Sequence, residues 1–231
     1  LIENAKPALV YDQFGQKHNI PKNGGKTIEF RKYSPLPKAT TPLTEGVTPA
    51  GKALTVSTVT ATVKQYGDFV PLTDMLLLTA IDNNLVQALD LLGAQAGATL
   101  DTVTREILMG GTSVQYAEGQ VTSRATLTAE HKLTVKAVRL AARFLKKQNA
   151  PKIDGGYVAI IHPDIAYDIQ DDPDWKEWNK YTTSDKMFQG EIGKIANVRF
   201  VETTEAKIFA KAGASNQDVY ATLVLGANAY G

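Results

Sequence analysis

Polar and apolar residues alternate over residues 27–33. Ile28 and Phe30 fall on one side and Glu29 and Arg31 on the other, the period-two pattern of a half-buried strand. A second extended segment, 54–63, is rich in valine and threonine: Leu54, Val56, Thr58, Thr60 and Thr62 share one face, and Val59, Ala61 and Val63 the other. Between the two, residues 34–51 hold Pro35, Pro37, Pro42 and Pro49, with Gly46 and Gly51 and few large apolar side chains. Two extended arms around a proline-stiffened tip predict a long hairpin-like loop projecting from the body. Residues 65–71 read as a second strand or a continuation of the first.

The pattern then changes to a helical period. Thr73 or Asp74 can cap a short helix through Ala80, and Asp82 a longer one. In the longer helix Leu85, Leu89, Leu92, Ala96, Leu100, Val103 and Ile107 recur at steps of three and four, which predicts one buried stripe. Gly110 and Gly111 close it. At 1.5 Å per residue such a helix is roughly 40 Å long, a spine for a domain of this size. Gly93 and Gly97 inside it suggest close approach by another element. Thr134 caps a further helix through Gln148, closed by Asn149 and Pro151. Residues 157–161 are continuously apolar and predict a buried strand, followed by a short helix over 163–169. Strands are expected over 198–202 and 219–225.

Other segments carry weaker patterns. Residues 1–10 suit a short helical turn, after which Asp12 and Gly15 break any period, so the first twenty residues read as an arm. Residues 21–25 form a turn, 111–125 a loop with room for a short hairpin, 171–183 a polar stretch with two tryptophans, and 185–192 fit no single element. The whole is α+β, with no internal repeat.

Composition narrows the function classes. With 43% hydrophobic and 21% charged residues the chain is in the globular range, so disordered and fibrous classes fit poorly. There are no cysteines, which excludes disulfides, thiolate metal sites and cysteine nucleophiles. No apolar run is long enough for a transmembrane helix. No signal peptide is visible, and because the chain starts at Leu1 an incomplete N-terminus is expected. The net charge is +1, from 25 basic and 24 acidic side chains, with the signs interspersed. The one basic concentration, Arg139, Arg143, Lys146 and Lys147, lies on the predicted 134–148 helix, where a solvated face with cations near the C-terminus is the plain reading.

Candidate chemistry is sparse. Gly24-Gly25-Lys26-Thr27 ends like a phosphate-binding loop, but Ile20 stands where the motif needs a glycine, and the segment opens a strand instead of a helix. His18, His131 and His162 are the only histidines, and none has a second at helical spacing, which argues against a nitrogen-rich metal site. His162, with Asp164, closes an apolar strand, a place where catalytic residues occur; capping of the next helix is the reading favoured over catalysis. Asp171, Asp172 and Asp174 precede Trp175 and Trp178. They do not match a calcium loop and read as the acidic start of a helix around Pro173. No Gly-x-Ser-x-Gly elbow exists. No catalytic, cofactor-binding or metal residue is assigned.

Several segments together resemble the N4-like family of phage major capsid proteins: KTIEFRKYSPLPKA and TTPLTEGVTP over 26–49, LDTVTREIL over 100–108, DGGYVAIIHPD over 154–164, GEIGKIANVRFVET from Gly190, and VYATLVLGANAYG at the end. The matches occur in order over essentially the whole chain. The resemblance implies the Hong Kong 97-type capsid fold. Residues 1–25 would be the N-terminal arm and 26–72 the extended loop with its flanking strands, its tip near Thr44, Glu45 and Gly46. Residues 73–153 would form the peripheral domain with the spine helix, and 154–231 most of the axial domain. The chain ends without a segment returning to the peripheral domain, which implies a fragment of a longer product.

The function implied is a structural protein, not an enzyme, that self-assembles through hexamers and pentamers into an icosahedral head enclosing double-stranded DNA. Its partners would be copies of itself, portal, scaffolding or decoration proteins, and packaged DNA contacted non-specifically. No cofactor and no membrane are involved, and assembly would take place in the host cytoplasm. A core-poor loop is not offset by its own burial, so Lys38, Thr44, Glu45, Gly46 and Lys52 are expected at subunit contacts. The alternatives are an encapsulin-type nanocompartment shell, a non-shell oligomeric binding module, and an enzyme built on His162 and the Asp171 cluster.

Overall fold

The computed structural model describes residues 9–79, 83–117, 121–179 and 193–231. The expected turn over 1–8, the capping role of Asp82 and the 185–192 segment lie outside them. Residues 18–68 form one compact unit, and the rest of the chain another.

In the 18–68 unit, β1 (Thr27–Tyr33) pairs antiparallel with β2 (Val56–Thr62), Thr27 opposite Thr62 and Tyr33 opposite Val56. The ladder extends one step at each end, through Ser34 N–H to Thr55 O at 3.0 Å and Val63 N–H to Lys26 O at 2.8 Å. Both strands are as the alternation predicts. The strand expected over 65–71 does not form: Pro71 has no N–H to donate to a ladder, and Gly67 weakens an extended run.

The larger unit begins with α1 (Asp74–Thr79) and α2 (Asn84–Met109). Asn83 caps α2, its side chain accepting the Val86 N–H at 3.4 Å. The helix has 26 residues, about 39 Å at 1.5 Å per residue. It ends at Gly110, although this glycine keeps a right-handed φ of −77°. α3 (Val135–Lys147) is capped by Thr134, whose hydroxyl accepts the Ala137 N–H at 3.3 Å. Residues 111–117 and 121–123 carry no strand, so the hairpin allowed for there is absent among the described residues.

A four-stranded sheet forms the centre of this unit, in the order β4 (Lys194–Ile195), β5 (Val198–Glu202), β3 (Tyr157–Ile161), β8 (Leu223–Leu225). β3 is parallel to β5 and antiparallel to β8. α4 (Pro163–Asp171) and α5 (Pro173–Asn179) follow β3. The turn joining β4 to β5 is Ala196–Asn197, both at positive φ (52° and 67°), the primed geometry that matches strand twist. Residues 219–225 do not make one strand. β7 (Val219–Tyr220) pairs with β6 (Ile208–Phe209), and the chain then bends so that β8 joins the main sheet.

All five residues of β3 are buried, and successive side chains enter opposite layers. Tyr157, Ala159 and Ile161 pack with Val135, Val138 and Ala142 of α3 and Ile165, Ala166 and Ile169 of α4. Val158 and Ile160 pack with Val10, Tyr11 and Leu225, and Leu108 and Met109 at the end of α2 join them. Val10 and Tyr11, expected in an arm, are thus core residues.

The predicted α2 stripe is corrected. Leu85, Leu89, Leu100 and Ile107 are exposed, Ile107 at 73%. The buried residue of the helix is Asp101, because residues 9–11 lie against that turn.

Candidate assembly surface

The loop between β1 and β2 contains one tight turn. The Val47 N–H donates to Thr44 O at 3.2 Å, and Gly46 takes φ +77°. A positive φ at the third position is the type II pattern that selects glycine. Thr44, Glu45 and Gly46 therefore sit together in the turn, whereas Lys38 and Lys52 flank it on the two arms. All five are exposed. No ion pair joins Lys38, Glu45 or Lys52 to another described residue.

The apolar side chains of this unit find little cover. All of β2 is exposed, as are Tyr33, Leu36, Leu43, Val47, Leu54 and Val63, with Leu43 at 75% and Val59 at 60%. Only Ile20, Ile28 and Phe30 are half-buried, and His18 meets Phe30 edge-on at 5.0 Å. A two-stranded ribbon is marginal in water without a packed face.

The residues weighed for chemistry are engaged in structure. The Asp164 N–H donates to His162 Nδ1 at 3.2 Å, capping α4, and the Tyr220 hydroxyl donates to Asp164 Oδ2 at 2.7 Å. That contact raises the Tyr220 pKa above its ordinary value. Asp172 caps two helices: Oδ1 accepts the Asp174 N–H and Oδ2 the Val135 N–H, each at 2.9 Å. Asp171 pairs with Lys176 at 2.6 Å, which lowers its pKa. Gly24 closes a turn onto Pro21 O at 2.9 Å and leads into β1, not into a helix. His131 Nδ1 accepts the Thr128 N–H at 2.9 Å. No three acidic or histidine side chains among the described residues are grouped to hold a metal ion, and no described helix is long and apolar enough to cross a membrane.

Two features of the larger unit escaped the sequence reading. Asp101 Oδ1 accepts the N–H groups of Val10 at 3.1 Å and Tyr11 at 2.8 Å, while Oδ2 is buried without a partner among the described residues. Desolvation raises the Asp101 pKa against the opposing pull of these hydrogen bonds. A charged network also ties α2 to the β6 approach. Arg105 donates to Glu205 O at 2.6 Å and pairs with Glu106 at 3.0 Å, and Glu106 pairs with Lys207 at 2.7 Å. An aspartate or an Arg-Glu pair on a helix carries no sequence signal of partners about a hundred residues away.

Known proteins resemble this α+β unit and its exposed hairpin. Residues 55–229 match the phage capsid protein family. The chain belongs to that family and is a major capsid protein, a structural component of the phage head. The match identifies the family as a whole, not the N4-like branch.

Solved capsids share the fold. The capsid protein of cyanophage P-SCSP1u matches with a TM-score of 0.75 at 15% identity, over 98% of this chain and 75% of that one. That of Ralstonia phage GP4 gives 0.69 at 17%, over 96% and 74%. Mycobacterium phage Che8 gives 0.67 at 13%, over 98% and 77%. These likenesses establish the Hong Kong 97-type fold. No curated protein matches the chain in sequence.

Proposed function

We propose that the chain assembles through hexamers and pentamers into an icosahedral head enclosing double-stranded DNA, with the 18–68 hairpin laid over a neighbouring subunit. The observation that carries this reading is the exposure of nearly every apolar side chain of the hairpin, Leu43, Val47, Leu54, Val56 and Val59 among them. Ordering such a ribbon costs conformational entropy that its own contacts do not offset; a neighbour's surface supplies the missing burial. Lys38, Thr44, Glu45, Gly46 and Lys52 then meet the adjacent subunit at the loop tip. In closed symmetric assembly the same contact repeats around each axis.

On this reading residues 1–25 act as the arm, 26–72 as the extended loop, 73–153 as the peripheral domain and 154–231 as most of the axial domain. The quoted sequence segments support placement in the N4-like branch. The protein works without catalysis: His162 and Asp172 are committed to helix caps. Portal, scaffolding or decoration proteins are its further partners, and assembly takes place in the host cytoplasm before DNA is packaged.

Electron microscopy of the purified full-length protein, beside a variant in which residues 40–50 are replaced by a short turn, tests this. The native protein should form shells or capsomers, and the variant should keep its helical circular dichroism but fail to close shells. Shells from the variant would remove the loop from assembly, and a native protein that stays monomeric at all concentrations would refute the proposal. DNA-filled native particles separate a phage head from a cargo-holding nanocompartment.

A further inference from the structure

α3 carries five cations, Lys136, Arg139, Arg143, Lys146 and Lys147, and no acidic residue. All five are exposed. At 3.6 residues per turn they fall within an arc of about 100°, on a face separate from buried Val138 and Ala142. None has a carboxylate within ion-pair distance among the described residues, whereas Arg105, Lys132, Lys176 and Lys207 all do.

Helix stability does not explain this face. Lys146 and Lys147 complement the negative end of the dipole, but Lys136 stands in the first turn, where a cation opposes it. Like charges three and four residues apart repel one another. General basicity does not explain it either, since the chain as a whole carries only +1.

We infer that this face of α3 holds the phosphate backbone of double-stranded DNA without reading its sequence. The inference rests on the reading that the shell encloses DNA, and adds the residues that touch it. A second copy of the chain is the weaker occupant. Around α4 and α5, Asp168 pairs with Lys132, Asp171 with Lys176, and Asp172 accepts two main-chain N–H groups. Contacts between these charges and phosphate oxygens fix the position of a backbone and carry no sequence information.

The test compares native protein with Arg143→Gln and with the triple variant Arg139→Gln, Arg143→Gln, Lys146→Gln. Binding to two unrelated 30-base-pair duplexes is followed by fluorescence anisotropy from 50 to 200 mM salt, with shell formation imaged on the same samples. Each lost phosphate contact should flatten the slope of log K against log salt by about 0.9. The single variant should therefore lose about one unit and the triple about 2.7, equally for both duplexes, with shells unaffected. An unchanged slope overturns the inference. So does a triple variant that stays folded and binds DNA normally but cannot close shells, since that would place the face against a neighbouring subunit. Native protein that forms no shells refutes the capsid proposal instead, and the slopes still decide the α3 surface.

Discussion

The carboxylate of Asp101, in the middle of α2, accepts the main-chain N–H of Tyr11 at 2.8 Å across 90 residues of sequence. It holds Val10 the same way, and the Tyr230 hydroxyl donates to Tyr11 O while the Gln16 N–H donates to Tyr230 O at 2.9 Å. Residues 10–16 are thus clamped between the spine helix and the last residues of the chain. Burial pushes the Tyr11 hydroxyl up to about 12.

Replacing Asp101 by alanine leaves two buried N–H groups unpaired and should destabilise the unassembled subunit by about 2–4 kcal/mol, at 1–3 for each group with partial relaxation. Asparagine keeps the acceptor and removes the charge. Because the folded-state pKa of Asp101 is raised, the native fold binds the proton more readily than the unfolded chain. The aspartate's contribution is therefore greatest below the ordinary carboxylate pKa and declines as pH rises toward the folded value. Urea midpoints of Asp101→Asn relative to native protein should improve from pH 4 to pH 7, and a constant difference would refute the assignment.

Glu106 has the opposite sign. Its hydrogen bond to Lys207, aided by Arg105, lowers its pKa. That contribution is present above the ordinary glutamate value and is lost as pH falls through the lowered one. Glu106→Gln should reduce stability at pH 7, and its effect should shrink as pH falls below the ordinary glutamate range. Salt titration at pH 7 should narrow the gap, since these side chains are partly exposed and screened.

How much of this could be read in the sequence depends on how local each signal is. Helix limits were legible: Thr134 caps α3 through its own neighbour three residues on, and the α2 stripe stops at Gly110. The β1–β2 ribbon was legible too, because alternation acts over a few residues, whereas the place of its tip was implied by the family resemblance and not by the local pattern. Burial was not. A stripe at steps of three and four says that a helix has an apolar face, but not that a partner lies in the same chain, and Leu89 and Leu100 are exposed. Val10 and Tyr11 sit beside residues that break every pattern, so nothing nearby marks them as core. The break between β7 and β8 is set by two sheets competing for one apolar run.

The exposed α2 stripe yields a direct check. Leu89→Lys or Leu100→Lys should change the stability of the unassembled subunit by less than about 0.5 kcal/mol, as for surface positions. The loss would be several kcal/mol if the stripe were core. Thermal unfolding of dilute subunits distinguishes the two.

Gly93 and Gly97 were expected to admit a neighbouring element, and only one does. A Cβ on Gly97 would meet Leu9 Cδ1 at 2.7 Å, whereas one on Gly93 would meet nothing within 4 Å among the described residues. Alanine in a helix interior gains about 0.5–1 kcal/mol over glycine. Gly93→Ala should therefore raise the stability of the unassembled subunit by about that amount. Gly97→Ala should gain less, because the Leu9 side chain must turn aside and give up its contact with α2. Combining Gly97→Ala with Leu9→Ala removes the obstruction, so the glycine substitution should then show its full helix gain. A double-mutant cycle in urea measures this coupling; simple additivity would mean that residue 9 does not rest on α2 at Gly97.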